Sequence, residues 1–326
     1  MTTALARIVE AWSGALGAPV ISELAPGSVW ELAAATGDRY VIKKLKAFDA
    51  PDPARRFTDE ARILTYLLQR GVPVAVPVLS DDGRVCVTDE AGVAHAVFLM
   101  LPRREADDPA SNPKLWQNVG AAVARMHVAL AACPFGIDSW TVGPDTLPPI
   151  WRTVEQRLPA DVVARLDALV RPRWDRMLEA LSAPPQRIHG DVHGGNLLTV
   201  GHEVTGIIDC DHLPMGPRTY DLGYFLAFGV QWWLDRDQPS RPVDETIAVL
   251  RGYDTVSPLT PQERCDLPAL ALEVTLGLVD FFVREHDLVP DNWLGAAFRI
   301  GKQFDALERR LTAPEASFAA CRPPRP

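Results

Sequence analysis

The sequence predicts an α+β protein of two lobes, a small antiparallel sheet lobe with one helix and a larger, mostly helical lobe. Short apolar runs separated by turn residues fill the first part of the chain, and one long helical pattern interrupts them. After a segment rich in charge and proline, apolar residues recur mainly at helical spacing. We therefore expect a first lobe over 1–101, a hinge over 102–112, a second lobe over 113–312 and a loose tail over 313–326.

The first lobe is expected to open with an amphipathic helix over residues 3–16, because Leu5, Ile8 and Trp12 recur near helical spacing before Gly17. Turn residues such as those of the Ala25–Ser28 segment then separate short β-prone runs. The predicted strands cover residues 20–24, 29–34, 39–45, 84–88 and 94–101, and a predicted helix covers 53–70.

Helical periodicity dominates the second lobe. Between residues 113 and 132, apolar side chains recur at Leu115, Val119, Val123 and Met126, which is the spacing of one helix face. Similar patterns predict further helices near residues 160–181, 243–253, 261–286 and 293–311.

The composition excludes several classes of protein. The 326 residues are 47% apolar and 23% charged, which is typical of a globular protein, and the net charge of −9 gives no basic surface for nucleic acid. The five cysteines are scattered and lack the spacing of a disulfide framework or a zinc site. The start of the sequence does not read as a signal peptide, and no apolar run is long enough to span a membrane, so we expect a cytoplasmic protein without a membrane partner.

The most informative segment begins at His189. His189, Asp191 and Asn196 have the spacing of a kinase catalytic loop, in which an aspartate receives the proton of the acceptor hydroxyl and an asparagine binds a metal ion. The glycines at 190, 194 and 195 would let this loop turn tightly.

A hairpin pattern follows the loop and should return the chain to it. Two β-prone runs flank a Gly201-His202 turn, so Asp209 is expected close to Asn196. One aspartate and one asparagine are sufficient for Mg²⁺, which takes its remaining ligands from water and phosphate. Asp211 could bridge a second ion, and the sequence leaves this open.

Phosphoryl transfer also needs a lysine at the phosphates, and Lys43 is the candidate. Strand alternation places Val41 and Lys43 on one face, as in the V-A-I-K pattern of kinases, and turns Lys44 the opposite way. On the following helix, Glu60 is the expected acidic partner of Lys43.

The segments His189–Asn196, Ile208–Asp211 and Tyr220–Leu222 together resemble the aminoglycoside phosphotransferase family, a branch of the protein-kinase-like fold that includes choline, homoserine and methylthioribose kinases. The resemblance covers most of the chain and implies a bilobal protein-kinase-like fold that uses ATP and Mg²⁺. By motif position it implies a catalytic base, two metal ligands and a phosphate-binding lysine, which are Asp191, Asn196, Asp209 and Lys43.

Two parts of the expected nucleotide site have weaker sequence signals. No G-x-G-x-x-G run separates the first strands, and only Gly27 and Ser28 are available there to contact phosphate. Met100 and Leu101 stand where the family's adenine-binding hinge lies, so their backbone is the expected adenine partner.

The remaining residues of the motif region are expected to be structural. His127, His189 and His193 should brace or pack, and Asp221 should cap a helix and hold the catalytic loop through hydrogen bonds. The aromatic residues that follow could lie in the core or line a substrate pocket, and we expect core positions for all but at most one of them; they are Tyr224, Phe225, Phe228, Trp232 and Trp233.

The acceptor is expected to be the hydroxyl of a small molecule. Acidic residues outnumber basic ones between 254 and 291, which would favour an amine-bearing substrate such as an amino sugar, aminoglycoside or amino alcohol. Two alternatives remain open: a Ser/Thr protein kinase of the bacterial stress-response type, and a nucleotide-binding regulatory module without turnover. The short segment between Asp209 and Asp221 favours the small molecule. The sequence does not decide between ATP and GTP, nor the oligomeric state.

Overall fold

The structure is a computed structural model, and it describes residues 3–46, 52–103, 112–234 and 240–313. The greater part of the expected hinge, at 104–111, and the expected tail from 314 onward lie outside the described residues.

The first lobe is built on an antiparallel sheet with the strand order β1-β2-β3-β6-β4, and β5 pairs with β6. Its strands are β1 Val20–Ala25, β2 Val29–Ala33, β3 Arg39–Lys44, β4 Pro77–Val78, β5 Val87–Thr88 and β6 Ala94–Leu99. The two-residue strand β4 was not predicted, because it has no sequence pattern of its own and forms only by pairing with β6.

Helices cover this sheet at two places. The helix predicted over 3–16 is present as α1 Thr3–Val9 and α2 Ser13–Leu16, joined by a 3-10 turn at Glu10–Trp12. Trp12 is fully buried and donates from Nε1 to the Val78 carbonyl at 2.8 Å, which fixes this segment to the sheet. The helix predicted over 53–70 is α3 Pro53–Gln69, and Asp52 caps it by accepting from the Arg55 N–H at 3.0 Å.

The second lobe is mainly helical, as predicted, but the number and the ends of its helices differ from the prediction. The predicted helix over 160–181 is two helices, because Pro172 lies in a 3-10 turn at Arg171–Arg173. A helix that begins Leu-Pro-Pro was missed, since prolines fit the first turn of a helix but hide the pattern. The helices are α4 Pro113–Ala131, α5 Leu147–Arg157, α6 Ala160–Val170, α7 Trp174–Leu181, α8 Thr219–Trp232, α9 Arg241–Asp254, α10 Pro261–Cys265, α11 Leu267–His286 and α12 Asp291–Thr312.

Two small antiparallel strand pairs flank the loops that carry the motif residues. Strands β8 Leu197–Val200 and β9 Glu203–Ile207 pair antiparallel, which confirms the predicted hairpin after the catalytic loop. Strand β7 Pro185–Arg187 pairs with β10 Met215–Pro217 and brings both ends of the motif region together. The Ile207 N–H donates to the Pro73 carbonyl at 2.7 Å, which ties the second hairpin strand to the first lobe.

No helix within the described ranges is long and apolar enough to cross a membrane.

The contact between α4 and α9 depends on a glycine in each helix. A Cβ atom at Gly252 would overlap the backbone carbonyl of Gln117, and a backbone cannot move aside as a side chain can. We expect Gly252→Ala to lower the free energy of unfolding by about 3 kcal/mol through overpacking, measured by urea denaturation.

The matched control is Gly277→Ala, also within a helix. The nearest atom to its added Cβ would be Ile150 Cδ1 at 3.7 Å, an ordinary contact. This variant should gain up to about 1 kcal/mol from helix propensity. Equal stability of the two variants would contradict the expected close approach of α4 and α9.

A buried acid in α11 should make stability depend on pH. Glu273 is only 2% exposed and its Oε2 has no hydrogen-bond partner among the described residues. Burial raises the pKa of Glu273 to about 7, although hydrogen bonds with Tyr220 and Thr146 oppose this. The folded state therefore keeps a proton that the unfolded chain has already released, so stability falls as pH rises from about 4.5 to about 7.

The side chain in Glu273→Gln cannot ionise, so the stability of this variant should not fall over this pH range. We expect the variant to be more stable than the wild type by about 2 kcal/mol at about pH 8, and equal to it near pH 4. Denaturation curves across this range test the prediction, with the half-exposed Glu285→Gln as control. A constant difference at all pH values would show that Glu273 does not titrate in this window.

Candidate active site

One buried carboxylate, that of Asp221, holds the catalytic loop in place. Asp221 is fully buried in the first turn of α8 and accepts from the His189 N–H at 2.9 Å and the Gly190 N–H at 2.8 Å. A third bond joins its Oδ2 to His127 Nε2 at 2.8 Å. The prediction that Asp221 holds the loop is confirmed. It is not the N-cap, however, because the helix already begins at Thr219.

Histidine 189 braces the loop from within, as predicted. Its Nε2 donates to the Ile208 carbonyl at 2.9 Å, and its Nδ1 accepts from the Asp191 N–H at 3.2 Å. These two contacts suit a neutral imidazole with its proton on Nε2. Between them, Gly190 has φ 84°, and a Cβ there would meet the Pro214 ring at 2.7 Å, so the turn requires glycine.

Asp191 and Asn196 lie side by side. The Asn196 Nδ2 donates to both the backbone carbonyl of Asp191, at 2.9 Å, and its Oδ2, at 3.0 Å. The Ile208 N–H donates to the Asn196 carbonyl at 3.0 Å, so the hairpin brings the next residue, Asp209, beside Asn196. The predicted convergence of these residues is therefore present.

Lys43 reaches this cluster from β3. Its Nζ donates to Asp209 Oδ1, and to Asp211 Oδ2 at 3.2 Å. Burial alone would lower the pKa of Lys43, but the Asp211 and Asp209 carboxylates outweigh it and raise that pKa above its usual value. Lys43 also lowers the pKa of Asp209 against the effect of burial, so lysine and carboxylate are both charged.

The predicted pair of Lys43 with Glu60 is wrong in this structure. Glu60 instead pairs with Arg56, one helical turn earlier on α3, at 3.3 Å. Arg56 also donates to the Asp211 carbonyl, so it links α3 to the motif region. Burial, with the Asp211 carboxylate adding to it, raises the pKa of Glu60 to about 7, although the charges of Arg56 and, more weakly, Lys43 oppose this. Sequence reasoning missed Arg56, although its i, i+4 spacing to Glu60 was visible.

The donor set suits a hard cation that completes its shell with phosphate and water. Asp209 and Asp211 supply carboxylates, and Asn196 directs its Nδ2 to Asp191, which leaves its carbonyl oxygen to serve as a ligand. Within the described ranges, no group of three or more His, Cys, Asp or Glu side chains is arranged to hold a metal ion. Asp209 has φ 59°, a left-handed conformation that is found in functional loops.

A cavity of about 270 Å³ lies between the sheet and the β8–β9 hairpin. Lys43 and Val41 both line it, which confirms the predicted strand face, and so do Met100 and Leu101. Its lining is mainly apolar and includes the charged side chains of Lys43, Glu60 and Asp209. A mainly apolar cavity with a few charged groups in its lining suits a nucleotide.

The turn of Gly27 and Ser28 is less well placed for phosphate. Neither residue is among those that line the cavity, and the Gly27 N–H donates to Glu23 Oε1 at 2.6 Å. A phosphate contact from this turn stays a prediction, and it would require the Gly27 amide to leave Glu23.

The chain is similar to known proteins of one family. The sequence pattern of the phosphotransferase enzyme family matches residues 21–259. The homoserine kinase of Methylobacillus flagellatus is 26% identical over 237 residues, which are 71% of this chain and 68% of that protein. Other homoserine kinases match over 62% and 63% of their own length, so the chain spans slightly less than two thirds of several such relatives.

Solved structures show the same fold. A microcompartment-associated aminopropanol kinase superposes with a TM-score of 0.71 at 19% identity, covering 93% of this chain and 97% of that one. An amicoumacin kinase in complex with AMP-PNP, Ca²⁺ and Ami superposes with a TM-score of 0.65 at 20% identity over 88% of each chain. The predicted bilobal kinase-like α+β fold and the predicted family resemblance are both confirmed.

Proposed function

The chain belongs to the phosphotransferase enzyme family, and on that basis we propose that it transfers the γ-phosphate of ATP, with Mg²⁺, to a hydroxyl group of a small amine-bearing molecule. One observation carries the proposal: Lys43 contacts Asp209, Asn196 contacts Asp191, and a backbone hydrogen bond from Ile208 to Asn196 joins these two pairs beside a cavity of about 270 Å³. This is the residue set that phosphoryl transfer requires.

The roles follow from the contacts. Asp191 accepts the proton of the acceptor hydroxyl as its oxygen bonds to the γ-phosphorus and the bond to the β–γ bridging oxygen breaks, which releases ADP. Lys43 binds phosphate oxygens through its charged Nζ. Asn196 and Asp209, with Asp211, would hold Mg²⁺, which when bound neutralises charge on the phosphates.

Adenine would bind at Met100 and Leu101. The Met100 N–H already donates to the Arg39 carbonyl at 2.9 Å within the sheet. The groups that adenine could use are therefore the Met100 carbonyl and the Leu101 N–H, which makes the expected hinge contact more specific.

The short segment after Asp209 supports a small acceptor over a protein. Strand β10 lies within this segment and pairs with β7, and the Arg187 guanidinium donates to the Leu213 carbonyl at 2.9 Å. The segment is thus folded against the lobe and offers no long platform for a peptide. A small molecule is the acceptor that fits.

The acidic residues from which we inferred an amine-bearing acceptor do not support that inference. The acids near the end of the 254–291 segment are largely neutralised, because Asp280 and Glu285 contact Arg284 and Asp287 pairs with Arg157. The proposal of an amine-bearing acceptor rests instead on similarity to kinases named for homoserine and aminopropanol.

A panel of hydroxyl compounds tests the function. ADP formation should be followed with homoserine, aminopropanol and an aminoglycoside, and the new phosphomonoester located by ³¹P NMR. The matched control for homoserine is 2-aminobutyrate, which lacks the hydroxyl and should give no transfer. MgATP binding without phosphomonoester across a broad panel would favour the regulatory module, and phosphorylation of protein alone would favour the protein kinase.

A further inference from the structure

We propose that His193, Tyr224 and Phe228 form an aromatic stack that positions the Asp191 carboxylate for proton transfer. His193 Nε2 lies 3.5 Å from Asp191 Oδ1, Tyr224 lies near the same carboxylate, and the Phe228 ring stacks with both of these rings. The inference rests on the proposed role of Asp191 and names three positioning residues, none of which contacts the nucleotide cavity.

The orientation of His193 is fixed by the loop itself. Its Nδ1 accepts from the Gly195 N–H at 3.1 Å, so a neutral ring must carry its proton on Nε2. That Nε2 lies 3.5 Å from Asp191 Oδ1, a weak but favourable electrostatic contact. Burial lowers the pKa of His193, although Asp191 opposes this, so the ring faces the carboxylate as a neutral N–H donor.

Ring stacking holds His193 in this orientation. The His193 and Phe228 rings are nearly parallel, with centroids 4.2 Å apart and an interplanar angle of 6°. The Trp293 ring also contacts Phe228, with centroids 4.7 Å apart and an interplanar angle of 68°. Phe228 therefore packs against Trp293 as well as His193, and its ring provides a flat surface for the histidine.

Tyr224 extends the stack to the carboxylate. It precedes Phe228 by one turn of α8, and the two rings stack with centroids 5.0 Å apart at 19°. Burial, with the nearby Asp191 carboxylate adding to it, raises the pKa of Tyr224 well above its usual value, so the hydroxyl stays protonated beside that carboxylate. Tyr224 is buried, so its ring cannot follow the carboxylate if that moves.

The carboxylate is thus held from two sides. Asn196 Nδ2 contacts Oδ2 at 3.0 Å, while His193 lies near Oδ1. Rotation of the carboxylate would break contacts on both sides. A general base needs such fixed geometry, since small misplacements of a reacting group reduce the rate strongly. Loss of the stack should therefore lower kcat and leave ATP affinity unchanged.

Two substitutions test the stack. Phe228→Leu keeps apolar volume but removes the flat ring, and Tyr224→Phe removes only the hydroxyl. We expect kcat to fall about tenfold or more in the first and about fivefold in the second, with the KM for ATP within about twofold of wild type. Phe228→Tyr, which restores a stacking ring, should recover most of the activity.

Controls separate positioning from general structural damage. Tyr66→Phe removes a hydroxyl that donates to the Ala132 carbonyl at 3.1 Å, on α3 and away from the loop, and should leave kcat unchanged. Wild-type kcat in both Phe228→Leu and Tyr224→Phe would overturn the inference. A rise in acceptor KM with unchanged kcat would also overturn it, because the rings would then bind substrate. If Phe228→Leu fails to fold, Tyr224→Phe decides alone.

Failure of this inference is distinguishable from failure of the proposed function. Asp191→Asn is assayed in parallel. If Asp191→Asn still transfers phosphate, the proposed function of Asp191 is wrong and the stack has no base to position. If Asp191→Asn is inactive while the two stack variants retain wild-type kcat, only the positioning inference is wrong.

Discussion

Replacing Asp191 with asparagine is expected to lower kcat about a thousandfold while leaving the affinity for MgATP within about twofold of wild type. The amide keeps the volume of the carboxylate but cannot accept a proton. Asp191 does not line the nucleotide cavity, and its neighbour Asn196 still has the Asp191 backbone carbonyl, at 2.9 Å, as an acceptor. The loss should therefore appear in the chemical step.

Steady-state transfer to the best acceptor gives kcat, and calorimetry gives nucleotide affinity. The matched control is Asp175→Asn, the same chemical change at an exposed position of α7, which should leave both values unchanged. Transfer by Asp191→Asn at more than a tenth of the wild-type rate would mean that another group accepts the proton, or that no protein base is needed.

Local patterns predicted the catalytic loop well. The spacing from His189 to Asn196 and the following hairpin involve residues close in sequence, so a turn and one register define their geometry. The same holds for the face of Lys43, since strand alternation alone places it with Val41 on the cavity side.

Long-range pairing was harder to predict. Lys43 and Asp209 are 166 residues apart, and their contact depends on how the sheet meets the hairpin. The sequence showed which charged residues were available but not their distances, so Glu60 was assigned to Lys43 although Arg56 on its own helix is its partner. The aromatic stack was missed for the same reason: helix α8 is buried on most sides, and periodicity does not show which rings face Asp191.

The prediction of core positions for the aromatic residues after Asp221 holds for only some of them. Tyr224 and Phe225 are buried, as expected of core residues, whereas Trp232 is 60% exposed at the end of α8. The composition of this segment could not distinguish these positions, because exposure depends on where the helix leaves the lobe.

Removal of the Asp221 carboxylate should lower the free energy of unfolding by about as much as Asp191→Asn raises the activation free energy of the reaction. Asp221 is fully buried, and its three donors are the two backbone amides of the catalytic loop and His127. Burial would raise the pKa of Asp221, but the hydrogen bonds from His127 and from the His189 backbone N–H lower it overall, so the carboxylate is charged.

We expect Asp221→Ala to lower the free energy of unfolding by about 3 to 5 kcal/mol, because it leaves these buried donors without an acceptor. Urea denaturation measures this. The matched control is Asp244→Ala, which removes an exposed ion pair with Arg310 and should change stability by less than about 1 kcal/mol. A loss below about 1 kcal/mol in Asp221→Ala would show that other groups satisfy the loop.

Comparing Asp191→Asn with Asp221→Ala should distinguish a residue that acts in the reaction from one that supports the catalytic loop. Asp191→Asn should lose activity at wild-type stability, since its side chain is partly exposed and its neighbours keep their partners. Asp221→Ala should lose both, because the loop that carries Asp191 loses its anchor at His189 and Gly190. If Asp221→Ala instead kept full activity while destabilised, the loop would keep its shape through its other contacts, such as the bond from His189 Nε2 to the Ile208 carbonyl at 2.9 Å, and Asp221 would serve the fold rather than the site.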